Sequence, residues 1–240
     1  MDFLRDFLSQ QKIPTNDPAE EVLEPGQFEY TNDYSAWSIV QDMGIHVGPK
    51  YPHCYGIEVV TPVFVTEIGE RISDFTGPWQ FDIERVWASI EKYFEVVTEY
   101  NHQCGTHVHF SPLNGFTTDQ VRRVAHFLTD LDESITDHIP KERRMSSFIK
   151  PNFEIRSKPS LKGLKNSLGL QDIVDLMMPR QEDMCNGLAD RKYVAWNFLP
   201  LQGATGTIEF RQPPHVNNVT DAEDWVQTAL YLYHRGLNWS

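Results

Sequence analysis

Two histidines one residue apart occupy the run Thr106-His107-Val108-His109-Phe110. On an extended strand, residues i and i+2 share a face, so both imidazoles point one way and Val108 and Phe110 the other. Paired imidazoles in this spacing suit a divalent cation. A second run, Thr207-Ile208-Glu209-Phe210-Arg211, sets Glu209 and Arg211 together, opposite Ile208 and Phe210. In Gly56-Ile57-Glu58-Val59-Val60, Glu58 opposes Ile57 and Val59. In Val194-Ala195-Trp196-Asn197-Phe198, Asn197 opposes Trp196 and Phe198. If the four runs join one sheet, two carboxylates, two imidazoles and a guanidinium converge on one surface.

Any half-buried strand alternates in this way, so each run alone reads as an ordinary wet sheet face. The residue types argue for more. Carboxylates are what hard Mg²⁺ prefers, and arginine matches phosphate. Together they describe a platform for a metal and a nucleotide. The glycine before the histidines, Gly105, permits close approach of backbone to a ligand. The remaining histidines share no such spacing and read as surface or structural.

The surrounding elements follow from periodicity. Ile83, Val86, Trp87, Ile90, Phe94 and Val97 give one apolar helical face between about Asp82 and Tyr100. Thr117 and Gln120 form a capping box for a helix carrying Val121, Val124, Phe127, Leu128, Leu131 and Ile135. A short helix spans about Leu170 to Met178. Lys192–Pro200 and Thr205–Gln212 read as a hairpin turning at Gln202-Gly203-Ala204. Thr220 to Glu223 reads as the capping box of a last helix, and Phe3 to Leu8 as a short first one. Ala36–Val40 and Tyr55–Thr61 read as strands, the second stopped by Pro62. Lys141 to Leu168 has little periodicity and reads as a basic loop, either solvated or lying over an anion. Helices alternating with paired strands point to an α+β fold, a mainly antiparallel sheet with helices on one side.

Composition bounds the rest. The 240 residues carry a net charge of −13, which disfavours non-specific nucleic-acid binding and anionic membranes. No stretch has the apolar length of a membrane span, and the start lacks a signal-peptide pattern. Three scattered cysteines, Cys54, Cys104 and Cys185, argue against a disulfide framework and for a reducing, cytoplasmic setting. Residues 1–33, with Pro14, Pro18, Pro25 and Glu20-Glu21, read as an acidic lead-in to a domain at 34–240.

The four runs, with Cys104-Gly105 ahead of the histidines and Lys192-Tyr193 ahead of Asn197, resemble the amidoligase family in order and spacing. This family is allied to glutamine synthetase and glutamate–cysteine ligase. The likeness extends from Trp37 to the last helix. It implies a curved antiparallel sheet cupping Mg-ATP, as in glutamine synthetase. It implies an ATP- and Mg²⁺-dependent ligase that converts a small-molecule or peptide carboxylate to an acyl phosphate, which an amine then displaces. Carried over by position, Glu58, His107 and Glu209 would be metal ligands. His109 would lie by the nucleotide or a second metal. Arg211 would hold the transferring phosphoryl group and Lys192 would make a second anion contact, with Asn197 beside them. Arg143 or Arg144 would add another, and the sequence does not choose between them.

The chain departs from the family in lacking an initial Gly-x-Glu-x-Glu strand before Trp37. Gln27-Phe28-Glu29-Tyr30 is the nearest substitute. A homodimer or partner chain supplying the strand, a shortened but complete enzyme, and an impaired binding subunit all follow from that departure. A zinc hydrolase using His107 and His109 is the alternative from outside the family.

Overall fold

The computed structural model describes residues 34–41, 45, 49–51, 56–66, 77–94, 104–153, 159, 161–180 and 190–239. The lead-in, the first helix and the Gln27–Tyr30 segment lie outside them. Contacts divide the chain into two compact units, Met1–Thr66 with Gly77–Gln103, and Glu67–Thr76 with Cys104–Ser240.

In the first unit, β1 (Ser38–Gln41) and β2 (Ile57–Val60) pair antiparallel, with Val40 opposite Glu58. Helix α1 spans Pro78–Tyr93 and buries Trp79, Ile83 and Val86. It starts four residues before the Asp82 expected from the apolar stripe. Proline is preorganised for the first helical position, and the Gln80 side chain accepts the Gly77 N–H at 3.2 Å.

The second unit holds β3 (Val108–Phe110), helix α2 (Thr118–Asp137), and the short helices α3 (Lys141–Arg144) and α4 (Leu161–Asn166). Helix α5 (Leu170–Met177), β4 (Trp196–Asn197), β5 (Ile208–Phe210) and helix α6 (Val219–Leu237) follow. The sheet is antiparallel with order β3-β5-β4. The Thr117 cap of α2 is as expected, since its hydroxyl accepts the Gln120 N–H at 3.2 Å. The cap of α6 is Asn218, accepting from the Asp221 N–H at 2.9 Å, in place of Thr220. Asparagine is among the strongest N-caps, so the helix begins two residues early.

One side of the sheet carries the core. Trp196 and Phe210 are register partners and stack at 4.2 Å between centroids, and Phe110 meets Tyr233 of α6 at 4.6 Å. Val121, Val124 and Phe127 of α2 join them. A Cβ on Gly236 would sit 3.2 Å from Val124, so this glycine lets α6 lie close against α2.

Two expectations are corrected. The four runs do not join one sheet among the described residues: β1–β2 is separate from β3-β5-β4. Alternation fixes which way side chains point, not which strand is the neighbour. The basic stretch 141–168 is not all loop, since it contains α3 and α4 and buries Arg143, Ile149 and Leu164.

Candidate active site

The face of β3-β5-β4 opposite the core carries the chemistry. Register places His109 directly opposite Glu209 on one side and Asn197 opposite it on the other. Glu209 is thus the centre of a row across three strands. Two positions along, His107 approaches Arg211. The alternation that buries Ile208 and Phe210 in the core projects Glu209 and Arg211 onto this face.

The Glu209 carboxylate is ringed by donors and imidazoles. Oε1 accepts from Arg211 Nη1 and lies 3.3 Å from His107 Nδ1 and 3.5 Å from His109 Nε2. Oε2 accepts from Asn197 Nδ2 at 2.7 Å, while Asn197 Oδ1 accepts the Leu199 N–H at 3.0 Å. The side chain is only 5% exposed. Burial alone would raise its pKa. The hydrogen bond from His109, then the charge of Arg211 and the imidazoles, outweigh burial and hold it at about 2. Glu209 is therefore a carboxylate at neutral pH.

His107 goes the other way for a base. Burial, then Arg211, Arg143 and His109, oppose its protonation more than Glu209 favours it, and its pKa falls to about 3. One edge of the ring still reaches solvent, at 29% exposure. His109 is anchored by Thr207, whose hydroxyl lies 3.1 Å from Nδ1.

Arg143 underlies the cluster. It is buried, and its Nη2 donates to the Arg211 carbonyl at 3.1 Å. Gly105 makes this possible: a Cβ there would stand 1.9 Å from Arg143 Nη2 and 2.6 Å from Cζ. The glycine read from the sequence as space for a ligand is filled by a guanidinium. Burial, then Arg211, lowers the Arg143 pKa to about 10, and Cys104 opposes the shift, so Arg143 stays cationic at neutral pH. Arg144 turns elsewhere and donates to Asp137 at 3.3 Å. Of the two arginines, the structure brings Arg143 to the cluster.

Tyr193 joins the cluster although the sequence assigns it no role. Its ring faces Arg211 at 5.7 Å and Lys192 at 5.4 Å, and Phe148 meets it edge-on at 5.0 Å. Arg211 is further fixed by its N–H, which donates to the Ala195 carbonyl at 2.9 Å. Thr207 was legible as the i−2 neighbour of Glu209 on the same face. Tyr193 lies outside the strands, so alternation did not mark it. Glu58 lies on β2 of the first unit, with its residue exposed. An open hollow of about 670 Å³, lined in part by Ser167, Asp172, Arg180 and Arg191, shares no residue with the cluster.

The arrangement is suited to an anion. Glu209, Arg211 and Arg143 sum to one positive charge within a chain of net charge −13. The Nε atoms of Arg211 and Arg143 are buried donors without a hydrogen-bond partner. Among the described residues no group of three or more His, Cys, Asp or Glu side chains is arranged to hold a metal. A resident Mg²⁺ does not fit the second unit as it stands. Its one carboxylate in the cluster is occupied by Arg211 and Asn197, and the other groups are imidazoles, which suit transition metals better.

An antiparallel sheet with helices behind it thus presents a carboxylate, two imidazoles and two guanidinia together. The model of the family described as "Putative amidoligase enzyme" matches residues 15–233, and the chain belongs to this ligase-type family. Searches of curated proteins and of solved structures returned no match. No helix among the described residues is long and apolar enough to cross a membrane.

Proposed function

We propose that this chain is an ATP-dependent carboxylate–amine ligase with a glutamine-synthetase-like catalytic fold, forming an amide through an acyl phosphate. The observation that carries the reading is the surplus of buried, cationic, under-satisfied donors at Arg211 and Arg143 on one sheet face. A carboxylate is a poor acylating agent because oxide is a poor leaving group, and phosphorylation supplies a better one. Phosphoryl transfer asks the protein mainly for positioning and charge neutralisation.

Arg211 is the group best placed to neutralise a transferring phosphoryl. Glu209 and the Tyr193 ring restrain its guanidinium, and the backbone bond to the Ala195 carbonyl fixes the main chain that carries it. Arg143 supports it from beneath. Lys192, exposed above Tyr193, is available to a second anionic group. Neutral His107 offers a hydrogen bond without repelling the cations needed by a phosphate. Mg²⁺ enters as part of the Mg-ATP substrate. Glu58 stands as a ligand by resemblance only, and no step is derived through a metal. No described observation favours the zinc-hydrolase alternative.

The test is Arg211→Lys. Lysine keeps the charge and loses the planar fork. ADP release with a panel of carboxylates and amines should fall by about a hundredfold, the scale seen when one donor to a developing charge is lost. ATP affinity by calorimetry should change only modestly. No heat from the wild type at millimolar ATP refutes the reading for the isolated chain.

A further inference from the structure

The geometry points to a role for Glu209 that differs from metal ligation: we propose that Glu209 is a positioning residue whose carboxylate is occupied by Arg211, and that Arg211 is what keeps the His107–His109–Glu209 set from binding a divalent cation. The proposal rests on the ligase reading only for the purpose of the positioning.

Three observations carry it. Glu209 Oε1, the atom a metal would use, accepts from Arg211 Nη1 and is flanked by both imidazoles at 3.3 and 3.5 Å. Oε2 is engaged by Asn197, which is itself fixed by the Leu199 N–H, so the carboxylate cannot rotate to present a free oxygen without losing a buried bond. The Arg211 guanidinium also lies over the Tyr193 ring, and its main chain is fixed by the N–H bond to the Ala195 carbonyl. A divalent ion at Oε1 would have to displace the Arg211 guanidinium bonded there.

Remove the guanidinium and the same face becomes two imidazoles, each within 3.5 Å of one carboxylate oxygen, a donor set that suits Co²⁺, Mn²⁺ or Zn²⁺. The device is thus an exchange between two cations, one covalently part of the chain. It gives Glu209 a purpose in phosphoryl transfer, which is to aim Arg211 rather than to carry an ion.

The experiment is a Co²⁺ titration of the full chain without nucleotide, followed by visible absorption. Wild type should bind no Co²⁺ at 1:1 at about 100 μM, whereas Arg211→Gln should bind it at least about tenfold more tightly, the gain expected when a facing like charge is removed. Arg211→Met provides the same test if the Gln variant folds poorly. Adding Glu209→Gln to either variant should abolish the gain. Stoichiometric Co²⁺ on wild type that Glu209→Gln removes would overturn the proposal, and so would folded Arg211 variants that gain nothing. Calorimetry with pyrophosphate in EDTA separates the two readings. Absence of any anion binding by wild type counts against the ligase reading alone, because the Co²⁺ result needs no nucleotide.

Discussion

Replacing Gly105 with alanine should disconnect Arg143 from the site. The added Cβ would come within 1.9 Å of Nη2 and 2.6 Å of Cζ, distances no contact tolerates, so the guanidinium must leave. The backbone beside it is pinned, since the Thr106 N–H donates to the Pro213 carbonyl at 3.2 Å and the Thr106 hydroxyl to the Pro214 carbonyl at 2.9 Å. Arg143 therefore gives way and loses its 3.1 Å bond to the Arg211 carbonyl. A hydrogen bond from a charged donor contributes about 1.5–3 kcal/mol. Release of a buried, unpaired cation offsets part of this, so a net loss of about 1–2 kcal/mol is expected. In a chain of this size that lowers Tm by roughly 2–8 °C. The effect on ATP should be larger in proportion, because one of two buried guanidinia is gone. Denaturant unfolding and calorimetry on Gly105→Ala, Arg143→Ala and the double variant provide the check. The double variant should be no worse than the worse single one, as expected for residues acting through one contact. Additive losses, or a Gly105→Ala protein with unchanged Tm and ATP affinity, would refute the reasoning.

Acid should destabilise the fold. Glu209 has a folded pKa of about 2, below its ordinary 4.5, so its stabilisation is full above 4.5 and is lost as pH falls towards 2. His107 has a folded pKa of about 3 against 6.5, so the unfolded chain takes up a proton the folded one refuses, and stability falls from pH 6.5 towards 3. Thermal melts across pH 7 to 3 should show Tm dropping from about pH 6.5, with a later onset in His107→Gln; a flat profile above pH 4.5 contradicts this. Asn197→Ala removes the 2.7 Å bond to Glu209 and the acceptor for the Leu199 N–H, and should cost about 1–3 kcal/mol by denaturant unfolding.

Side-chain direction was legible without coordinates. Period-2 alternation in Thr106–Phe110 and Thr207–Arg211 is a local steric property, so His107 and His109, and Glu209 and Arg211, had to share faces wherever the strands went. Capping at Thr117 and the apolar stripe of α2 are likewise local, and the chain reads them within one turn. Pairing is not local. That Glu209 sits between His109 and Asn197, and that Glu58 belongs to the other unit, depends on which strands exchange hydrogen bonds, and short strands of two to four residues have no pattern that names a partner. The occupant of the space at Gly105 was equally out of reach. A glycine announces that a Cβ would not fit, but only the seating of the Arg143 side chain against Gly105 shows that the neighbour is Arg143 and not a ligand. The choice between Arg143 and Arg144 is of the same kind: adjacent residues on a short helix point about 100° apart, and which one faces the sheet is decided by how that helix docks.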